Sequence, residues 1–309
     1  MAFPGRTSTD SVKDALSYFL TNLGVKLHTY ERDPSLERRV GEIFDSYPST
    51  KPPLPHIATG IDFALVGYQH IQSFDTKVLI AVYTAIAVTL DSPKDLESVP
   101  SHDFHRMFCA GAAQHDDGML GQLARLMMAF WDHYPRYAAS SAMASTLEFI
   151  NSSILENTSR GMIMTADSLP FIEYRRGKTG IPEAFATFIW ERSKFPEEEI
   201  YLQAKPDAML YINYVNDILS FYKEEFSDEE GTYIRDRASA TSKTPLEVLY
   251  ELIDEVIMVA NRARRILGEG PARKAWECFM AGFVAFHIIS PRYRLHEIMD
   301  IQYIMLGSA

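Results

Sequence analysis

The chain has 309 residues, 47% hydrophobic and 23% charged, with a formal net charge of −11 and two cysteines. That balance supports a sizeable buried core and excludes a disordered polypeptide. The acidic excess argues against a nucleic-acid groove, which needs clustered Lys and Arg, and two cysteines exclude a disulfide framework.

Taken in chain order, MAFPGRTSTDSVKDALSYFL lacks a charged leader followed by a long apolar run. No apolar stretch reaches about 18 residues, the length a membrane helix needs. A soluble, cytoplasmic protein is expected, without a membrane span and without nucleic acid as partner. The segments SVKDALSYFLTNLG, HIATGIDFALVGYQH, FDTKVLIAVYTAIAVTL, GMLGQLARLMMAFWDHY and RYAASSAMASTLEFINSSIL repeat apolar residues at three and four, the helical period. DAMLYINYVNDILSFYKEE, PLEVLYELIDEVIMVANRARRIL and ARKAWECFMAGFVAFHII do the same. Pro52, Pro53 and Pro55 mark an early loop, and Pro182, Pro206 and Pro271 fit helix starts. Thr244 and Glu247 around Pro245 form a capping box with proline at the first helical position. SDEEGTYIRDR reads as a solvated loop. Cys109 and Cys278 each stand in an apolar segment, which predicts buried free thiols in a reducing compartment. With no alternating strands, linker or repeat, residues 1–309 are expected to form one all-α domain, a bundle of about ten or more helices.

Three places carry candidate chemistry. In YINYVNDILSFYKEEF, Asn216, Ser220 and Glu224 recur at steps of four with Lys223 beside the last, so at about 100° per residue they share one helix face. Oxygen donors in that pattern suit a hard cation such as Mg²⁺; polar residues tolerated at the exposed end of an amphipathic helix would look the same. The apolar helix AVYTAIAVTL runs into DSPKD, where Pro93 biases Ser92 away from helical dihedrals. Asp91 should therefore close the helix and Asp95 should lie past a break. A carboxylate at a helix C-terminus opposes the macrodipole, a strain that a bound dication relieves. FIEYRRGKTGIPEAF places Arg175 and Arg176 ahead of Gly180, either a basic loop or an anion contact. His102, His105, His115, Asp116 and Asp117 read as polar interhelical turns.

VNDILSFYKEE, together with the later PRYRLHEI, resembles the class I terpene cyclases and is most similar to fungal trichodiene synthases, over a stretch from about Tyr83 to Leu295. The resemblance implies a helical bundle around an apolar cavity that holds farnesyl diphosphate, with three Mg²⁺ ions clamping the diphosphate at its mouth. It implies a sesquiterpene synthase that ionises this substrate and cyclises the carbocation to a hydrocarbon or alcohol, releasing diphosphate. Asn216, Ser220 and Glu224 would hold one ion. Asp91 matches the first acidic position of the aspartate-rich motif and Asp95 the last, while Ser92 stands where trichodiene synthases carry a second aspartate. Arg176, four before Gly180, matches the diphosphate-sensing arginine, with Arg175 in reserve. Arg292 and Tyr293 match the family's Arg-Tyr pair, and Lys223 is directed at the same anion. Phe286, six before Arg292, matches an aromatic pocket position, and Phe63, Phe149 and Trp190 are further ring candidates. A chain-elongating synthase and a silent prenyl-diphosphate-binding protein of the same fold stay open, as does a homodimer.

Overall fold

Helices begin where a side chain or a proline can deal with the free N–H groups of the first turn. In the computed structural model, which describes residues 7–91, 103–227 and 229–299 and the backbone of 305–306, Ser8 caps helix α1, Thr9–Leu23, by accepting from Ser11 N. Asp33 caps α2, Pro34–Asp45, with proline at its start. Helix α3, Leu54–Asp62, leads into a wide turn. Ser73 caps α4, Phe74–Leu90. There follow α5, Phe104–Cys109, α6, Met119–Met128, α7, Phe130–His133, and the long α8, Arg136–Ser159. Two short helices, α9, Leu169–Lys178, and α10, Pro182–Thr187, flank a break. Then come α11, Lys205–Phe226, and α12, Tyr233–Thr241. The expected capping box of Thr244 and Glu247 opens α13, Pro245–Leu267, and Pro271 opens α14, Pro271–Ile289. Ser92, Pro93, Lys94, Asp95 and His102 lie outside the described residues.

The architecture is all-α. Helix α4 is buried on nearly every side, as a helix apolar all round must be, and packs on α3, α2 and α6. Helix α11 packs on α13, α10 and α14. Gly60 lets α3 and α4 touch, since a Cβ there would lie 2.3 Å from the Ala81 carbonyl oxygen. Among the described residues the only strand pairing is a two-residue parallel one, Tyr30–Glu31 with Met305–Leu306. No described helix is long and apolar enough to cross a membrane.

Four expectations are corrected. HIATGIDFALVGYQH is not one α-helix, because Phe63–Gly67 widens into a π turn. This turn brings the Val66 carbonyl against Gly282 of α14, where a Cβ would sit only 2.1 Å away. GMLGQLARLMMAFWDHY breaks at Ala129 into α6 and α7. SDEEGTYIRDR is not a loop throughout: from Tyr233 it is helix, with Tyr233 and Ile234 buried and its charges spent on ion pairs of Arg235 with Glu225 and Arg175 with Asp236. Both cysteines are exposed: Cys109 ends α5, and Cys278 falls two residues past Trp276, off the inward stripe of Ala275, Trp276, Phe279 and Met280.

Candidate active site

A chamber opens among α3 with its π turn, α4, α8, the α9–α10 break, α11 and α14, enclosing about 760 Å³ of empty space with its mouth included. Phe63, Phe149, Phe185, Phe283 and Phe286 line it with Ile181 and Ile212. Phe63 is the hub, its ring centroid 4.9 Å from Phe286, 5.2 Å from Phe185 and 5.7 Å from Phe283. Trp190 is not part of this wall. It is fully buried elsewhere, stacked on Tyr201 at 4.7 Å and donating to the Ala272 carbonyl, so its size serves the core.

Polar side chains complete the lining. Asp91 is the C-cap of α4, as the proline break predicts. Its carboxylate lies 3.5 Å from Arg292, both side chains about half exposed, so this ion pair contributes little to stability and is readily exchanged. Arg292 and Tyr293 sit in a single 3₁₀ turn after α14. Asn216 Nδ2 lies 3.2 Å from His287 Nε2 and 3.4 Å from the Tyr293 hydroxyl. Burial drives the His287 imidazole down to about 4 and the Tyr293 phenol up to about 12, so both are neutral at pH 7.

Arg176 is aimed at the chamber and Arg175 is not. The Arg176 Nε donates to Asp217 at 2.7 Å, Nη2 to the Asn213 carbonyl at 2.8 Å and Nη1 to Thr179 at 3.2 Å. Burial works against its charge, but the Asp217 ion pair prevails and holds the guanidinium above its ordinary value. Arg175 turns to Asp236 instead. The chain then breaks at Gly180 and Ile181, both left-handed at φ 76° and 53°, before Pro182 restarts a helix. The left-handed φ favours glycine at 180, and a Cβ there would also come within 3.1 Å of Arg176 Nη1, a tight contact.

Ser220, Glu224 and Lys223 lie farther along α11, outside the chamber lining. The Ser220 hydroxyl is buried without a hydrogen bond of normal geometry. Glu224 is pushed up to about 7, chiefly by burial, although nearby Ser220 and Lys223 draw it down. Lys223 pairs with Glu229 at 3.0 Å and approaches Glu224 to 4.0 Å, so it is held beside this face by acids of its own. An orphaned hydroxyl, a desolvated carboxyl in need of a cation and an amide oxygen are hard donors, and they fit Mg²⁺. Among the described residues no group of three or more His, Cys, Asp or Glu could hold a metal; an Asn/Ser/Glu set contains one such side chain.

Sequence reasoning missed His287, Asp217 and Asn213. The available signals were a lone histidine in the apolar run FVAFHII and the acid directly beside Asn216 in the pair Asn216-Asp217. His105 binds the Leu147 carbonyl at 2.8 Å, and Asp116 accepts from Gly118 N in the turn before α6, so neither joins a site.

The family model described as trichodiene synthase (TRI5) matches residues 57–304. Terpene synthase 29 of Postia placenta (strain ATCC 44394 / Madison 698-R) is 42% identical over 289 residues, covering 94% of this chain and 85% of its own length. Monoterpene synthase 25 of the same fungus is 40% identical over 293 residues, covering 95% and 88%. Among solved structures, linalool/nerolidol synthase from Streptomyces clavuligerus has a TM-score of 0.61 at 10% identity, covering 86% of this chain and 98% of that one. Hedycaryol synthase has a TM-score of 0.57 at 15% identity, covering 89% and 97%. At these identities the structural likeness speaks for the fold alone.

Proposed function

Since the chain belongs to the trichodiene synthase (TRI5) family of terpene synthases, we propose that it is a Mg²⁺-dependent sesquiterpene cyclase acting on farnesyl diphosphate. The observation that carries this reading is the mixed lining of the chamber, five phenylalanines together with Asp91, Arg176, Asn216, Arg292 and Tyr293. An apolar chain ending in a polyanion calls for both chemistries.

Asn216, Ser220 and Glu224 on α11 and Asp91 on α4 are the residues that would hold Mg²⁺. Bound Mg²⁺ would supply Lewis-acid neutralisation of diphosphate charge. Arg176 and Arg292 donate to phosphate oxygens, for which the planar guanidinium fork is suited. Arg292 can turn to phosphate because its contact with Asp91 is long and solvent-exposed, and Asp91 would then be free for a cation. Tyr293, neutral and buried, donates its hydroxyl proton toward the same oxygens. As the allylic C–O bond breaks, positive charge develops in the chain, where the faces of Phe63, Phe286 and Phe283 stabilise it by roughly 0.5–2 kcal/mol each when desolvated. The apolar wall also excludes water from the cation until ring closure is complete.

Incubation with farnesyl diphosphate and Mg²⁺, analysed by gas chromatography and mass spectrometry, tests the proposal. Cyclic C15 products that vanish with a chelator are expected; longer diphosphates, or no turnover, refute it. The 40% identity to a protein named a monoterpene synthase favours a second reading, geranyl diphosphate as the preferred substrate. The ratio of kcat/KM for the two diphosphates decides between them.

A further inference from the structure

The hydrogen bonds around His287 determine how a neighbouring amide is turned. A carbonyl can only accept, so the 2.7 Å contact with the Phe283 carbonyl puts a proton on His287 Nδ1. The ring is wholly buried, its centroid 4.6 Å from Phe283 and 4.4 Å from Tyr293, and its hydrogen-bond contacts are the Phe283 carbonyl and the Asn216 amide, neither of which offsets a buried positive charge. Nε2 therefore carries a lone pair. That lone pair faces Asn216 at 3.2 Å, and only the NH₂ end of the amide can answer it. The Tyr293 hydroxyl, 3.4 Å from the same Nδ2, receives the second N–H. Oδ1 is the end left over.

An asparagine is a nearly symmetric fork whose two ends differ only in chemistry. Nothing in Asn216 itself selects oxygen over NH₂ for the side facing a cation, and an NH₂ turned that way would repel one. We propose that His287 is a positioning residue that locks the Asn216 amide with its oxygen toward the divalent cation, an inference resting on the assignment of Asn216 as a ligand. The information passes from the Phe283 carbonyl through one tautomer to one amide rotamer. It joins α14 to α11 at the point where the metal face begins.

The full-length protein is titrated with Mg²⁺ at fixed inorganic diphosphate, and binding is followed by calorimetry. His287→Phe keeps a ring but removes the acceptor, and should raise the half-saturating Mg²⁺ concentration roughly three- to tenfold, the scale of one hydrogen bond. His287→Gln, which can offer an acceptor oxygen, should recover most of that loss. The decisive comparison uses Asn216→Asp, whose carboxylate presents oxygen whichever way it turns. In that background His287→Phe should add nothing, a non-additivity that mere loss of packing does not produce. An unchanged Mg²⁺ requirement in folded His287→Phe, or the same factor in both backgrounds, overturns the proposal. Imidazole ¹⁵N NMR of the unsubstituted protein supplies a readout independent of any variant's folding: protonated Nδ1 with bare Nε2 is expected, and an Nε2–H tautomer overturns the proposal. Absence of Mg²⁺-dependent diphosphate binding in the wild type would instead remove the ligand assignment beneath it, leaving the tautomer as described.

Discussion

Replacing Arg176 separates what this residue does for the fold from what it does for the reaction. Its guanidinium makes three hydrogen bonds, to Asp217, the Asn213 carbonyl and Thr179, and Asp217 is only 8% exposed. Arg176→Ala leaves that carboxylate buried without its partner, a loss of about 3–5 kcal/mol by the usual cost of breaking a buried pair. Poor turnover in this variant could then reflect unfolding alone. Arg176→Lys retains a positive charge near Asp217 but not the fork. Losing one charge-assisted bond to phosphate, worth about 1.5–3 kcal/mol, should lower kcat/KM by about 10- to 100-fold with only a modest drop in Tm. The double variant Arg176→Ala/Asp217→Asn removes the stranded charge. Its Tm should recover toward wild type while its turnover stays low. Differential scanning fluorimetry beside steady-state turnover of farnesyl diphosphate gives both numbers. Wild-type kcat/KM in Arg176→Lys, or activity that returns with Tm in the double variant, would show that Arg176 is structural. Arg175→Ala should do less harm to turnover than Arg176→Ala, because Arg175 is committed to Asp236.

Glu224 lies near 7 without a cation, so protons compete with metal below that pH, and the half-saturating Mg²⁺ concentration should rise by about tenfold per unit as pH falls from 7 to 5; a flat requirement contradicts the ligand assignment. Asp62 is pushed up to about 6, mainly by burial. Its folded-state pKa is raised, so its stability contribution is complete below about 4 and is lost as pH rises through about 6. Asp62→Asn should accordingly stabilise the protein at pH 8 by about 1–3 kcal/mol, with the gain disappearing by pH 4 in urea titrations; a pH-independent difference would refute the sign. Phe286→Ala should shift products toward less cyclised species while diphosphate release continues, whereas Trp190→Ala should cost about 3–5 kcal/mol of stability and leave the product ratio of surviving enzyme unchanged. The reverse pattern on gas chromatography would move the aromatic wall.

What could be read from the sequence is what depends on neighbours along the chain. The common face of Asn216, Ser220 and Glu224 follows from steps of four on one helix, and the end of α4 at Asp91 follows from Pro93 two residues on. The capping box at Thr244 is equally local. What escaped depends on meetings between distant segments. His287 matters because α14 carries it to Asn216, 71 residues away in sequence. Asp217 looked like one more acid beside Asn216 until Arg176, from before the break, closed on it. Helix α12 was hidden because its charges satisfy partners on other helices, so the solvated composition that marks a loop was misleading. The two cysteines failed for a related reason, since an apolar neighbourhood in sequence does not say which face of a helix a residue occupies, and Trp190, in the bend after α10, is carried away from the chamber onto Tyr201.

The most direct test of the account is a crystal structure grown with Mn²⁺ and inorganic diphosphate, with anomalous scattering used to locate the metal. The account predicts an anomalous peak within coordination distance of Asn216 Oδ1, Ser220 Oγ and the Glu224 carboxylate, and diphosphate oxygens held by Arg176 and Arg292. Diphosphate bound elsewhere, or a chamber mouth without metal at saturating Mn²⁺, would contradict it.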